Sequence, residues 1–139
     1  MKLKRIFLLL ILSITSIFAT INTDWNKKNI FIEVNKKLLQ GDNHLLNNFS
    51  RLKNFYANRQ NTPVWLSSQG IKGQRVMQLL SSIQRDVTLD PRSHIHRKAK
   101  MLKKRLAHKH NDISIKRLEL ELTTLYYDFL QHTIYGEID

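Results

Sequence analysis

The stretch from Phe55 to Leu66 constrains the fold of this chain, because it must interrupt a helical pattern that continues on both sides of it. Apolar side chains recur at helical spacing before and after it, at Leu45, Phe49, Leu52 and Tyr56, and at Val76, Leu79, Leu80 and Ile83. Pro63 disfavours the α conformation at Thr62, so the preceding helix must end by about Gln60. We expect residues 64–66 to be extended and to lay a tryptophan ring across the helices.

Periodicity and capping residues predict five helices along the chain. They cover about 30–39, 44–59, 73–87, 95–109 and 113–135. Gly41 is placed to end the first helix, and Asp42 or Asn43 to cap the second. The glycine-containing stretch 69–73 is predicted to be a turn, and Asn111-Asp112 to begin the last helix.

The last helix is predicted to be the central element. Leu118, Leu122, Leu125 and Phe129 form one stripe, which is widened nearly all round by Leu120, Tyr126, Tyr127, Leu130 and Ile134. A helix that is apolar on most sides is surrounded by other elements. The predicted fold is therefore all-α or mostly so: a compact bundle of four to five helices around a long C-terminal helix, with a short extended Pro-Val-Trp segment.

Residues 1–19 have the composition of a secretory signal peptide. A positively charged start precedes an apolar run at 6–14, and Ala19 offers a small residue for cleavage. The run is short for a membrane span, which needs about 20 apolar residues. We expect export to the periplasm, with an inner-membrane anchor if the signal stays uncleaved. The remainder is predicted to form a polar segment with a short helix, 20–42, and a helical domain, 43–139.

The chain contains no cysteine and has a net charge of +12. It therefore has neither a disulfide framework nor a thiolate nucleophile. Much of the basic excess falls within 92–117, and the candidate contacts to an anionic polymer or lipid head groups are Arg97, Lys98, Lys100, Lys103, Lys104 and Arg105. A solvated face of long side chains explains the same pattern. Since the signal indicates export, no nucleic-acid partner is expected, and the membrane is met only through an uncleaved signal or this face.

Two His-x-His pairs, His94/His96 and His108/His110, are candidate metal ligands. A helix of about 12 residues lies between them, so they are about 18 Å apart and cannot share one ion. Each pair supplies two ligands, short of the three or four that a zinc site needs, although Asp90 is placed to complete the first pair. We predict no metal site and no cofactor.

Glu121 and Asp128 come nearest to a pair of catalytic carboxylates. They lie on one side of the last helix, whereas glycoside hydrolysis requires two carboxyl groups facing across a cleft. Each acid also has a basic partner four residues away on the same helix, Arg117 for Glu121 and His132 for Asp128. Such ion pairs on a helix surface account for both acids without catalysis. We predict no catalytic residue.

An ordered set of residues resembles the scaffold domain of the large periplasmic L,D-transpeptidases, which cross-link peptidoglycan. The set consists of Phe55, Tyr56, Arg59, Pro63, Trp65, an apolar helix at 76–83, Leu89, Asp90, Pro91, Leu122, Thr123 and Gly136. The resemblance extends from Leu45 to Gly136. Thr88, Ser93 and Phe129 depart from the family pattern, which has a glycine, an aromatic residue and a tyrosine there.

The resemblance implies a non-catalytic part of a cell-wall enzyme. In the family, a separate domain carries a cysteine nucleophile and a histidine, and this chain has no cysteine. We therefore expect a periplasmic scaffold module that is not an enzyme and whose partners are peptidoglycan or a cell-wall catalytic domain. Under this resemblance we expect one of three cases: a truncated gene product, a stand-alone scaffold, or the companion of a catalytic portion in another chain. The alternative is a stand-alone basic module that binds an anionic envelope polymer or a membrane surface.

Overall fold

The computed structural model describes residues 31–67, 70–108 and 110–136. The predicted signal, 1–19, and the first part of the segment 20–42 lie outside these residues. The elements are α1 (Lys36–Leu39), α2 (Asn43–Asn47), α3 (Phe49–Asn58), β1 (Leu66–Ser67), β2 (Gly70–Ile71), α4 (Gly73–Arg85), α5 (His94–Leu106) and α6 (Asp112–Tyr135). This composition confirms the mostly α-helical fold. None of the helices in the described part of the chain is long and apolar enough to cross a membrane.

The long helix α6 is the centre of the bundle, as its apolar pattern predicted. Each of α1 to α5 packs against it. On one side, a cluster of buried side chains joins the hairpin, α4 and α5 to α6, and on the other a smaller cluster joins residues 32–56 to Leu120. The half-buried side chain of Val64 packs against both clusters. Residues 32–56, and the part of the chain from Trp65 to the end of α5, are thus attached to different sides of one helix.

The first predicted helix, 30–39, is wrong over most of its length, because only Lys36–Leu39 is helical. Residues 31–35 alternate between exposed and buried, with Ile32 and Val34 facing the core, which is the period of an extended chain. The Ile32 N–H donates to the Asn61 carbonyl over 2.8 Å. The Asn35 side chain then caps α1 by accepting from the Leu38 N–H.

The second predicted helix, 44–59, is divided in two at Asn48. The backbone of Asn48 has φ −97° and ψ 8°, and its side-chain amide donates to the His44 carbonyl over 2.8 Å. Competition of this kind between an asparagine side chain and the helix ladder is a known cause of breaks. Of the two predicted caps, Asp42 and Asn43, it is Asp42 that caps α2, by accepting from the Leu45 N–H. Gly41 adopts φ +85°, consistent with its predicted role in ending α1.

The predicted turn at 69–73 is in part a strand. Leu66 pairs with Ile71 and Ser67 with Gly70 in a two-residue antiparallel ladder. The Lys72 N–H donates to the Trp65 carbonyl over 2.7 Å and extends the pairing. This hairpin fixes the extended segment that follows Pro63 against the start of α4.

The C-terminal turns of α6 are less covered than predicted. Leu118, Leu120, Leu122 and Leu125 are buried, but Tyr126, Leu130 and Ile134 are 41%, 36% and 60% exposed. Within the described chain, the apolar side chains in the middle of α6 are buried as far as about Leu125, and beyond it Phe129 is half-buried against the larger cluster. A short apolar surface, which we call the α6 apolar end (Tyr126, Leu130, Ile134), remains at the end of the helix.

Candidate functional site

Two residues of the Phe55–Leu66 stretch meet two side chains of α6 in a buried polar site. The Tyr56 hydroxyl donates to Oε1 of Glu119 over 2.7 Å and lies 2.6 Å from Oγ1 of Thr123. The indole Nε1–H of Trp65 donates to the same Thr123 oxygen over 3.0 Å. We call these four side chains the Glu119 network.

The carboxylate of Glu119 also accepts hydrogen bonds from the backbone of the extended segment. The Val64 N–H donates to Oε1 over 2.6 Å, and the Trp65 N–H donates to Oε2 over 2.9 Å. Buried backbone N–H groups need acceptors, and a short extended segment lying on a helix has no strand partner at that point. Glu119 takes the place of that missing strand.

Burial determines the chemistry of the Glu119 network. Glu119 is 0% exposed. Burial raises the pKa of its carboxyl because the charged form loses its solvation, while the donors from Val64, Tyr56 and Trp65 act in the opposite direction. Burial, together with the nearby Glu119 charge, raises the pKa of the Tyr56 hydroxyl, which stays a neutral donor. The site positions three chain segments and presents no reactive group to solvent.

Sequence reasoning singled out Tyr56, Trp65 and Thr123 but missed Glu119. One feature of the sequence could have identified Glu119: it lies between Leu118 and Leu120 on a helix that is apolar nearly all round. A carboxylate placed there must be buried, and a buried carboxylate needs donors. The donors come from a segment more than fifty residues away, which no local pattern identifies.

The other residues of the Phe55–Trp65 motif pack around the Glu119 network. The ring of Phe55 packs edge-on against Tyr56 and Tyr127, with centroids 5.1 and 5.6 Å away. The Arg59 guanidinium lies over the Phe55 ring at 5.6 Å, and Pro63 is buried. These contacts hold the end of α3 and the start of the extended segment against α6.

The Leu89-Asp90-Pro91 motif forms the turn that leads into α5. Leu89 is buried in the larger cluster, whereas Asp90 and Pro91 are exposed. The Asp90 carboxylate accepts from the Arg92 N–H over 2.7 Å, and this bond lowers the pKa of that carboxyl. Asp90 therefore caps its turn, and it does not join His94 and His96 in a cluster of potential metal ligands within the described residues. Gly136, the last motif residue, ends α6 with φ +74°.

An apolar cavity of about 480 Å³ opens beside Trp65. The Trp65 ring packs edge-on against Tyr126, with centroids 6.2 Å apart. Arg59 and Arg75 also line the cavity, and the Arg75 guanidinium donates to the Val64 carbonyl over 2.8 Å. Because Tyr126 belongs to the α6 apolar end, the cavity and that surface are continuous.

The predicted basic face divides into two sets. Lys98 and Arg105 donate to the carboxylate of Glu121 over 3.1 and 2.5 Å, and Glu121 is only 2% exposed. Lys98 also lies 3.5 Å from an Asp42 oxygen. These two cations therefore tie α5 to α6 and are not part of a free surface. The predicted Arg117–Glu121 pair is replaced, since Arg117 donates to the Gln40 carbonyl over 2.8 Å.

The other four cations of the predicted face are exposed and line a groove of about 610 Å³ between α4 and α5. They are Arg97, Lys100, Lys103 and Lys104. Apolar side chains of α4, among them Met77 and Leu80, line the opposite wall. We call this feature the basic groove.

The histidines do not associate in the His-x-His pairs that the sequence suggested. His96 lines the basic groove, whereas His94 faces Asp128 of α6, with its Nε2 atom 3.5 Å from Oδ2. His110 lies 2.7 Å from the Arg105 carbonyl at the end of α5. The predicted Asp128–His132 helix pair is replaced by a contact of His132 Nε2 with the Thr88 hydroxyl at 3.0 Å.

A scaffold domain family matches residues 50–139. The match covers more than half of the chain and includes the Glu119 network, the apolar cavity and the basic groove. The chain belongs to the scaffold domain family. No curated protein and no solved structure gave a match. Within this scaffold domain, the side chains of the Phe55–Trp65 motif and of α6 serve to assemble the bundle, while α1 and α2 precede the matched residues.

Proposed function

We propose that this scaffold domain is the non-catalytic module of a periplasmic, L,D-transpeptidase-like protein of peptidoglycan cross-linking. The family match to a scaffold domain and the ordered residues shared with those enzymes support this assignment. The observation that carries it is the Glu119 network, in which Tyr56 and Trp65 of the shared motif bind Glu119 and Thr123 of the shared C-terminal helix.

The module contributes support and no bond-making of its own. Thiol chemistry requires a cysteine, and the chain has none. Two carboxylates of the described residues, Glu119 and Glu121, are 0% and 2% exposed, and both accept hydrogen bonds from donors of the chain itself. Both features fit a rigid support for a catalytic domain that carries the nucleophile.

The surface that receives the catalytic domain is the α6 apolar end together with the adjoining cavity. Exposed apolar side chains at the end of a central helix are typical of an interaction site. Tyr126 and Phe129 line the cavity, and Leu130 and Ile134 extend it along the helix. Arg59 and Arg75 supply donors for polar groups of the partner.

A reconstitution experiment tests this proposal. The purified chain is incubated with muropeptides alone and then with a cysteine-containing L,D-transpeptidase catalytic domain, and association and cross-linking are measured. We expect no turnover alone, binding of the catalytic domain, and weaker binding for Leu130→Lys. Ile113→Lys is the matched control, because Ile113 is 68% exposed near the opposite end of the same helix, about 25 Å from Leu130 at 1.5 Å rise per residue. Turnover by the chain alone, or no association with the catalytic domain, overturns the proposal.

The basic groove supports a second candidate function, the binding of an anionic envelope polymer or membrane surface. Four cations converge on a concave surface, and concave basic surfaces attract polyanions.

Binding to isolated cell wall and to anionic liposomes is measured over a salt series. We expect binding that is lost as salt rises, and lost in a Lys100/Lys103/Lys104→Gln variant. A Lys36/Lys37/Lys53→Gln variant removes the same charge elsewhere and should bind normally. Binding that is insensitive to salt, or equal in the two variants, argues against the groove.

A further inference from the structure

Three potential metal ligands from separate helices converge beside α6. His44 lies on α2, His94 is the first residue of α5, and Asp128 lies on α6. The Nε2 atoms of His44 and His94 are 2.8 and 3.5 Å from the same Asp128 oxygen, Oδ2. One ligand atom from each of the three side chains lies within 4.8 Å of the others.

These distances suit a bound transition metal. Zinc binds imidazole nitrogen and carboxylate oxygen at about 2.0–2.1 Å, so tetrahedral ligand atoms lie about 3.3 Å from one another. The two distances to Asp128 Oδ2, 2.8 and 3.5 Å, lie on either side of this value, so small side-chain rotations would place all three atoms around one ion. Asp128 is 15% exposed and the histidine side chains are 47% and 61% exposed, which leaves a path from solvent and a position for water.

An ion pair alone is a poorer account of the cluster. As an ion pair, both imidazoles must hold a proton on Nε2 and direct it at a single oxygen, with ring centroids 5.9 Å apart. Among the described residues, the ion-pair partners of Asp128 are these two histidines and include no lysine or arginine. A metal lets all three atoms act as electron-pair donors at once.

We propose that His44, His94 and Asp128 bind one divalent transition metal of the zinc class, with water in the remaining position. Imidazole ligands favour zinc, copper and nickel over magnesium and calcium, which prefer oxygen. The site is structural, because none of its three ligands lines the cavity or the groove and together they join α2 to α5 and α6.

The attachment of α2 explains what the metal does for the fold. The helices α1 and α2 have four and five residues, which is too short for stability of their own. His44 precedes the matched residues, while His94 and Asp128 lie within them. The metal therefore fastens the preceding segment to the scaffold domain.

The test measures metal binding by the purified chain without an affinity tag, since the imidazoles of a tag would bind metal themselves. Zn²⁺ is titrated by calorimetry, and Co²⁺ is used as a spectroscopic probe of tetrahedral coordination. We expect one Zn²⁺ per chain, no competition from Mg²⁺, and a rise in Tm on addition of Zn²⁺.

His44→Gln, His94→Gln and Asp128→Asn each remove one ligand, and His108→Gln is the matched control because His108 is exposed and outside the cluster. Loss of an outer-shell partner already weakens metal binding roughly 10–100-fold, so loss of a ligand should do at least as much. If Asp128→Asn fails to fold, the exposed His44 provides a second variant, with folding checked by circular dichroism. Absence of zinc binding in the unaltered chain, or unchanged affinity in the folded ligand variants, overturns the proposal. Neither result bears on the scaffold role.

Discussion

The Tyr56 hydroxyl and the Glu119 carboxylate, 63 residues apart in the chain, are joined by a buried hydrogen bond of 2.7 Å. This bond links the end of α3 to the middle of α6. Together with the N–H groups of Val64 and Trp65, it gives the buried carboxylate three donors. The network satisfies the backbone of the extended segment where no strand lies beside it.

Substitution of Glu119 by alanine should reduce the free energy of unfolding by more than about 3 kcal/mol, since each buried donor left without an acceptor costs about 1–3 kcal/mol. Glu119→Gln keeps one carbonyl acceptor and should cost less. Urea denaturation measures both, with Glu33→Gln as the control because Glu33 is exposed. A loss under about 1 kcal/mol for Glu119→Ala would show that the network contributes little.

Titration of Glu119 should make the free energy of unfolding depend on pH. Its pKa is raised in the folded state above the ordinary value of 4.5, so between these two values the unfolded chain binds fewer protons than the folded chain. The free energy of unfolding therefore falls as pH rises from about 4.5 through the folded pKa. The difference between the unaltered chain and Glu119→Gln isolates this effect, because the substitution removes the carboxyl that titrates in this range, whereas Tyr56, whose pKa the Glu119 charge raises, titrates far above it. A difference that does not vary with pH would contradict the raised pKa.

Trp65→Ala should cost about 3–5 kcal/mol, because the ring is only 4% exposed and its loss leaves a cavity in the core. Trp65→Phe should cost less, since it keeps an aromatic ring but loses the Nε1–H donor to Thr123. Thermal melts monitored by circular dichroism measure both. Val87→Ala, at a fully solvated position, should leave the melt unchanged, and an unchanged melt for Trp65→Ala would refute the anchoring role of the ring.

The cations of α5 that bind Glu121 should contribute more to the free energy of unfolding than the exposed cations of the basic groove. Arg105→Ala removes a hydrogen bond to the buried carboxylate of Glu121 and should cost about 1–3 kcal/mol, with Lys98 still in place as a second partner. Lys103→Ala, on the same helix but exposed, should change the free energy of unfolding by less than about 0.5 kcal/mol. Equal effects would indicate that the Glu121 pairs are no stronger than surface contacts.

Features set by local chemistry were predictable from sequence. The Asp42 cap and the buried seam of α5 at Ile95, Ala99, Leu102 and Leu106 follow from short-range spacing, and the structure has both. The central place of α6 followed from its wide apolar surface. Each depends on residues within a few turns of one another.

Features that depend on which distant segment lies opposite a residue were not predictable. Lys98 and Arg105 have the same spacing pattern as the exposed lysines, and only the position of Glu121 across the helix interface distinguishes them. Likewise, the apolar pattern of α6 does not reveal that Leu130 and Ile134 remain exposed in the described chain. Glu119 and the cluster around Asp128 were missed for the same reason.

Val64 touches both hydrophobic clusters, and α6 supplies side chains to each. If either cluster unfolds, α6 loses the contacts on one of its sides, and Val64 loses part of its packing. The other cluster, which also involves Val64 and α6, is then weakened too. Melting of the described chain should consequently be a single cooperative event, with the slowest amide hydrogen exchange in the middle of α6 and no populated intermediate in which half of the bundle survives.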